Sequence, residues 1–149
     1  MKRVISFLLV AFMLTAIIPV SGKAVRKTEE TIYYADGSYM TIAVIYAPVR
    51  ATWGVTGSKQ YTYYESNSVA QWKVVLTGTF TYTGSSASCT ESSVDVTIYN
   101  SAWYIGDKLA SKSGNTAKAF VTMKRTNNDV TATVPVNLAL SCDANGNLS

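Results

Sequence analysis

Cys89 and Cys142 have the widest range of possible chemical roles in this chain, because thiols can form a disulfide, attack a substrate or bind a metal. The sequence contains no histidine. That absence excludes the Ser-His-Asp and Cys-His arrangements that activate a nucleophile, and two cysteines alone cannot complete a four-ligand zinc site. In an oxidising environment an even pair is most simply a disulfide, which would close a loop of about 50 residues and stabilise the fold by ~4 kcal/mol.

Paired carboxylates would be another route to catalysis, since two acids that flank a glycosidic bond can hydrolyse it. The chain has 9 acidic residues, and the nearest pairs are Glu29 with Glu30 and Glu91 with Asp95. We interpret both pairs as solvent-facing charges and identify no catalytic residue.

The alternation of Asp143, Asn145 and Asn147 beside Gly146 faintly resembles the start of a calcium loop. The glutamate that such a loop needs at its twelfth position does not follow. We therefore predict a polar tail here, with no metal and no other cofactor.

Aromatic side chains have the clearest binding chemistry, because tyrosine and tryptophan combine a large flat surface with a polar group. The sequence has 10 tyrosines and 3 tryptophans. Neighbours in a strand point to opposite faces, so the adjacent aromatic pairs cannot both lie in a core. The candidate binding aromatics are Tyr61, Tyr63, Tyr64, Trp103 and Tyr104. Their partner would be an extracellular glycan or protein, and ordinary aromatic pairing between strands is the structural alternative.

The first 22 residues are predicted to be a cleaved, helical secretory signal. Two basic residues precede an apolar run over residues 4–20, and the small residues Ser21 and Gly22 follow it. The cut is expected after Gly22 or Ala24, and the run is short for a retained membrane span. The protein is therefore predicted to be secreted and extracellular, in contact with a membrane only through the signal before cleavage.

Charge gives no indication of a nucleic-acid partner. Removal of the signal takes two of the 13 basic residues and leaves a small excess over the 9 acidic ones. These charges are scattered along the chain, so we predict neither nucleic-acid binding nor attraction to an anionic membrane.

The body of the chain predicts β-strands, because Val, Ile, Thr and Tyr dominate and turn residues interrupt them at short intervals. Asp36-Gly37 predicts a two-residue hairpin turn between strands at 31–35 and 38–47, within an N-terminal hairpin region over residues 23–50. The clearest strand, 69–82, has an apolar face and a polar face. The apolar face carries Trp72, Val74, Leu76, Gly78, Phe80 and Tyr82, and the polar face carries Gln71, Lys73, Thr77, Thr79 and Thr81.

Residues 51–149 are predicted to form the core of an all-β fold, an antiparallel two-sheet sandwich or a small barrel. A bulge near residues 90–93 would correct a slip in the alternation between Cys89 and Val94. The spacing of Cys89, Trp103 and Cys142 is similar to the Cys-Trp-Cys framework of immunoglobulin domains. However, Leu140 stands where those domains have a tyrosine, so the sandwich is immunoglobulin-like without a confirmed topology.

Four segments share a further pattern: Thr56–Tyr64, Leu76–Thr90, Lys112–Asn115 and the CDANGNLS sequence over residues 142–149. Together they resemble a family of short, uncharacterised secreted proteins of Gram-positive gut bacteria. The resemblance covers most of the chain after residue 55. It implies a signal, a β-rich body and the two cysteines, and it brings no activity with it.

The sequence thus predicts a non-catalytic extracellular binding or structural module. One alternative is a small secreted hydrolase or self-processing protein, and another is a secreted toxin or bacteriocin. An exposed acidic pair in a cleft would favour the hydrolase, whereas a flat aromatic patch would favour the binding module.

Overall fold

The computed structural model of the protein describes residues 14–20, 23–47 and 53–149. Every regular element in these ranges is a β-strand, which confirms the predicted all-β class. In chain order the strands are β1 (Leu14–Val20), β2 (Lys23–Tyr33), β3 (Tyr39–Tyr46), β4 (Gly54–Tyr64), β5 (Ala70–Tyr82), β6 (Ala87–Ile98), β7 (Trp103–Ser113), β8 (Thr116–Asn127) and β9 (Val130–Ser141).

The strands form two antiparallel sheets, one of β1 to β6 and one of β7 to β9. In both sheets each strand lies beside its neighbours in sequence. The smaller sheet packs over β4, β5 and β6 of the larger one, so the fold is a two-sheet sandwich rather than a closed barrel. Because neighbours in sequence pair throughout, the described strands lack the Greek-key connections of an immunoglobulin domain.

β5 supplies the centre of the core. On its inner face, which is turned toward the smaller sheet, four side chains are completely excluded from solvent: Trp72, Val74, Leu76 and Phe80. Lys73 and Thr77 on its outer face remain partly exposed, which confirms the predicted alternation. The smaller sheet contributes buried side chains from β8 and β9: Ala117, Ala119, Val121, Met123, Val136, Leu138 and Leu140.

Gln71 is the exception in β5, because it is 1% exposed although its position predicts the polar face. The register shifts here: Trp72 pairs with Tyr63, but Ala70 pairs with Tyr64, which leaves Gln71 as an extra residue. Its amide is satisfied inside the protein. Nε2 donates to the Val69 carbonyl at 3.0 Å, and Oε1 accepts from Asn100 Nδ2 at 2.7 Å.

A second bulge interrupts β6 where the sequence predicts one. Thr79 pairs with Glu91, but Phe80 pairs with Cys89, so Thr90 has no partner residue on β5. This extra residue returns both Cys89 and Val94 to the inner face, where they are 6% and 8% exposed.

The hairpin between β2 and β3 is longer than the predicted two-residue turn. Tyr34 N donates to the Ser38 carbonyl at 2.9 Å, and Gly37 N donates to the Tyr34 carbonyl at 3.0 Å. Residues 35–37 therefore form a three-residue loop, in which Gly37 takes the positive φ of 83° that this turn requires. Asp36 stabilises the loop by accepting a hydrogen bond from Ser38 N at 3.0 Å.

Residues Leu14–Val20 form strand β1 instead of the predicted helix, and they pair with residues 23–29 of β2. The β-branched residues of this segment favour extended backbone, which accounts for the difference. Residues 1–13 and 21–22 lie outside the described residues, and so does the predicted cut after Gly22. No helix long and apolar enough to span a membrane occurs in the part of the chain that the structure describes.

Candidate binding face

Two of the predicted binding aromatics, Tyr63 and Trp103, lie in an aromatic cluster on the inner face. Tyr63 stacks on Trp72 with 5.3 Å between ring centroids. The Trp103 ring meets both of them edge-on, at 5.7 Å from Tyr63 and 6.0 Å from Trp72. Trp103 is 4% exposed, so this cluster serves packing between the sheets.

An ion pair between Arg125 and Glu65 lies beside this cluster. The guanidinium carbon of Arg125 lies 5.0 Å from the centroid of the Trp103 ring, and Arg125 Nη1 lies 2.7 Å from Glu65 Oε1. The cation contacts the aromatic face and the carboxylate together, so it links the end of β4 to β8. The indole N–H groups of Trp72 and Trp103 are buried and have no hydrogen-bond partner among the described residues.

Tyr61 also belongs to the inner face, where it is partly buried against the core. Burial raises the pKa of its hydroxyl, and the nearby charge of Glu30 raises it further. Its neighbour on the same face is Lys59, whose Nζ donates to the Ala139 carbonyl of β9 at 3.1 Å. Burial lowers the pKa of Lys59, while Glu30 acts in the opposite direction. These contacts join the two sheets and leave Tyr61 outside any exposed patch.

Tyr64 is turned to the outer face of the larger sheet, where it forms a row with two tyrosines outside the predicted set. The register places Tyr33 beside Tyr39 and Tyr39 beside Tyr64. The ring centroids are 5.6 Å apart for Tyr33 and Tyr39, and 4.7 Å apart for Tyr39 and Tyr64. We call Tyr33, Tyr39 and Tyr64 the tyrosine row.

The rings of the tyrosine row differ in what they offer to a ligand. Tyr39 and Tyr64 are nearly parallel, at 9°, and their separation matches the spacing between neighbouring strands. One face of each ring is therefore covered by the other ring. Tyr33 is tilted by 39° and is 54% exposed. Because β1 pairs with β2 only as far as Glu29, no described strand flanks Tyr33 on its other side.

A row of threonines lies next to the tyrosine row on the same face. Thr31 pairs with Thr41, and Thr41 pairs with Thr62, two positions along each strand from the tyrosines. None of these three threonines is fully buried. The six residues form a surface of hydroxyl groups and aromatic edges on one regular sheet. We call this surface the binding face: Tyr33, Tyr39, Tyr64, Thr31, Thr41 and Thr62.

Tyr104, the last of the predicted binding aromatics, lies apart from the binding face. It is in β7 of the smaller sheet, 44% exposed, and its hydroxyl is 3.3 Å from Thr126 Oγ1. The tyrosine row therefore includes only Tyr64 of the five predicted aromatics. The predicted two-residue turn would place Tyr33 opposite Met40, so the pairing of Tyr33 with Tyr39 follows from the three-residue loop that the structure shows.

The two cysteines lie on either side of the turn between β7 and β8. Cys89 N donates to the Gly114 carbonyl at 2.8 Å, and Cys142 N donates to the Asn115 carbonyl at 3.0 Å. Both are buried free thiols, so the predicted disulfide is not formed in this structure. Burial raises the pKa of Cys142 to about 11, with smaller contributions from Asp143 and Cys89. A protonated thiol is a poor nucleophile, so burial lowers the reactivity of Cys142.

Only one acid of the candidate pair Glu91 and Asp95 lines the crevice at β6. A shallow crevice between the edges of β6 and β7 has Glu91 as the one acidic residue among its described lining residues. Asp95, the other member of that sequence pair, does not line it. Lys112 at the crevice donates a hydrogen bond to the Thr90 carbonyl. The crevice thus contains one carboxylate and one amine, and the amine already donates a hydrogen bond to the backbone.

Asp143 stabilises a turn in the C-terminal tail. Asp143 accepts hydrogen bonds from the backbone N–H groups of Asn145 and Asn147, at 2.8 and 2.9 Å. The side-chain amide of Asn147 also donates to Asp143, at 2.8 Å, and this bond is the largest cause of the lowered pKa of Asp143. The turn directs Leu148 into the core, where it is 7% exposed. No group of three or more metal-binding side chains occurs within the described ranges.

No family model matches this chain, and comparisons with curated proteins and with solved structures found no similar protein. The resemblance to secreted proteins of gut bacteria therefore stays a prediction. A function for this protein has to be inferred from its own residues and their geometry.

Proposed function

We propose that the protein is a secreted, non-catalytic module that binds an extracellular glycan through the binding face. The observation that carries this proposal is the tyrosine row, in which Tyr33, Tyr39 and Tyr64 lie side by side on the outer face of the larger sheet. The sequence pattern of a secretory signal supports the extracellular location.

The chemistry of the binding face suits a glycan. Its tyrosine and threonine hydroxyls can donate and accept hydrogen bonds, as the hydroxyls of a sugar chain can. The exposed ring of Tyr33 adds an apolar surface for the C–H groups of a sugar ring. The binding face consists of tyrosines and threonines only, and the one basic residue that pairs with it directly is Lys73, opposite Thr62 on β5. An exposed sheet face fits an extended polymer better than a small molecule, which usually binds in a pocket.

The location of the acids supports a non-catalytic role. The sequence pairs Glu91 with Asp95 as the candidate acids of a hydrolase, but only Glu91 lines the crevice between β6 and β7. Glycoside hydrolysis requires two carboxyl groups across one bond.

Glycan binding by the exported protein tests the proposal. An array of polysaccharides and oligosaccharides should identify ligands, and Tyr33→Ala should weaken binding of those ligands about tenfold, because an exposed aromatic contact is lost. Tyr64→Ala should have a comparable effect, since it removes the stacking partner of Tyr39. Tyr104→Ala is the matched control, because this similarly accessible tyrosine lies on the other sheet and should leave affinity unchanged. Equal affinity of all three variants would contradict the proposal.

We also propose that Cys89 and Cys142 become oxidised to a disulfide after export. Their place on either side of one turn supports this, since each cysteine bonds to one of two adjacent residues of the turn between β7 and β8. Both are free thiols in the structure, so the bond requires the two sulfur atoms to move together. Exported protein treated with an alkylating agent in denaturant should keep its mass, and treatment after reduction should add two alkyl groups. Two alkyl groups added without reductant would show that the thiols stay free. Reduction should destabilise the fold by ~4 kcal/mol in the chain-entropy account.

A further inference from the structure

Removal of the predicted signal would change one edge of the larger sheet. β1 pairs with β2 from Val20 opposite Lys23 to Leu14 opposite Glu29. A cut after Gly22 removes all of β1, and β2 then becomes the edge strand. The backbone N–H and C=O groups of β2 that β1 had paired are left without partners, and such an edge is a template for another strand.

We infer that this edge joins two copies of the processed chain, with β2 of one copy antiparallel to β2 of the other and Thr28 on the twofold axis. The inference rests on the removal of the signal that the proposed function includes. A strand that pairs with its own copy must be complementary to itself when reversed, because a twofold interface uses the same surface on both chains. The sequence of β2 meets this condition.

Charge complementarity favours this register. With Thr28 on the axis, Lys27 of each chain lies opposite Glu29 of the other, so the symmetry creates two such pairs. The same register places position 26, an arginine, opposite position 30, a glutamate. Opposite charges that face each other across antiparallel strands stabilise the pairing. Lys27 and Glu29 already form an ion pair within one chain, and their side chains are 31% and 48% exposed.

Neighbouring registers keep fewer of these pairs. A shift by one residue leaves one complementary position, either Lys27 opposite Glu30 or position 26 opposite Glu29. It also puts the outer face of one copy on the same side of the joined sheet as the inner face of the other. With Thr28 on the axis, residues on the outer face of one copy pair with residues on the outer face of the second. The two larger sheets then form one continuous sheet.

This dimer would present two binding faces on one side of the joined sheet. Each tyrosine row lies at the Tyr33 end of β2, so the two rows are placed at opposite ends of the antiparallel pair. A polymer with repeated units can contact both faces, and the second contact is then intramolecular. Such bivalent binding raises the apparent affinity without any new type of contact.

Sedimentation equilibrium on the exported protein tests the dimer, once N-terminal sequencing has shown that the chain begins at Lys23 or Val25. We expect a species of twice the chain mass. Lys27→Glu should weaken dimerisation about tenfold, because it places two glutamates opposite each other at two symmetric positions. Glu29→Lys should do the same with lysines.

Mixing these two variants separates contacts between chains from those within one chain. In a mixed dimer, the carboxylate introduced at position 27 of one chain faces the amine introduced at position 29 of the other. The second pair consists of the unchanged Glu29 of the first chain and the unchanged Lys27 of the second, so both pairs are complementary again. The mixture should therefore dimerise like the original protein, although each variant alone dimerises more weakly. Circular dichroism melting of each variant checks that the fold is retained.

The outcomes distinguish this inference from the proposed function. A monomeric processed protein at high concentration, or a mixture that does not recover dimers, overturns the dimer and leaves glycan binding by a single chain in place. A released protein that still carries residues 14–20 also overturns it, because β1 then occupies the edge. Normal dimers that bind no glycan would leave the dimer standing and contradict the proposed function.

Discussion

Replacing Trp72 with alanine should lower the free energy of unfolding by about 3–5 kcal/mol, which is the usual cost of removing a large aromatic side chain from a core. Trp72 is 0% exposed and lies on the inner face of β5. Its ring stacks on Tyr63 and meets Trp103 edge-on, so the truncation removes two aromatic contacts and leaves a cavity between the sheets. A loss of this size is a large fraction of the stability of a small domain. Urea denaturation followed by circular dichroism measures it.

Lys73→Ala is the matched control, because the adjacent residue lies on the opposite face of the same strand. Lys73 takes part in no described ion pair, and a surface substitution of this kind changes stability by less than about 0.5 kcal/mol. If Lys73→Ala unfolded the protein and Trp72→Ala had little effect, the faces of β5 would be reversed. The two denaturation midpoints therefore test the register as well as the size of the core contribution.

Gly78→Ala should destabilise the fold by about 1–3 kcal/mol, the range that is typical of overpacked cores. A Cβ at Gly78 would lie 2.7 Å from the ring of Phe80 and 2.9 Å from Cβ of Ala117. Ala117 belongs to β8 in the other sheet, and its Cβ is fixed by the backbone. The two sheets would have to move apart at this point, which loosens the packing of every neighbouring core residue. Thermal and urea denaturation should show the same loss.

Gly54→Ala provides the comparison for this effect. A Cβ at Gly54 would meet its nearest atom, the Phe80 carbonyl oxygen, at 3.5 Å, which is an ordinary contact. Alanine at such a site restricts the unfolded chain and should leave the stability unchanged or increase it by up to about 1 kcal/mol. The double variant Gly78→Ala/Ala117→Gly should recover part of the loss from Gly78→Ala, because one of the two clashes is removed. Equal effects of Gly54→Ala and Gly78→Ala would show that close approach of the sheets is not the cause.

Alternation along a strand was enough to predict the faces of β5, because burial on one side leaves a period of two in the sequence. The bulge at Thr90 was predictable for the same reason, since an extra residue shifts that period. Gln71 could not be placed in this way. Its burial depends on a hydrogen bond from Asn100, which is far from it in sequence and reaches it only when the chain has turned back after β6.

Strand β7 was also missed, because most of its side chains are exposed and it lacks an apolar face. β7 is held in the sheet by its pairing with β8, and a bulge between Ile105 and Asp107 interrupts that pairing. A strand held mainly by backbone hydrogen bonds leaves little pattern in its sequence.

The tyrosine row shows a different limit. Tyr64 was selected as one of an adjacent aromatic pair, and the structure places that pair on opposite faces, with Tyr63 in the core. The partners of Tyr64 come from β2 and β3, and their alignment depends on the register of two hairpins together. A single sequence gives each strand but does not fix that alignment, because register follows from turn geometry and from burial of one face.

The consecutive order of strands in each sheet has a consequence for folding kinetics. Each strand finds its partner across a short loop, so the closure entropy at every step is small and folding can proceed one hairpin at a time. Docking of the smaller sheet onto β4, β5 and β6 is the step that joins distant parts of the chain, and we expect it to limit the rate. A polypeptide that emerges gradually from a ribosome or a translocation channel could thus assemble each sheet in the order of synthesis, with only the most recent strand unprotected at any moment.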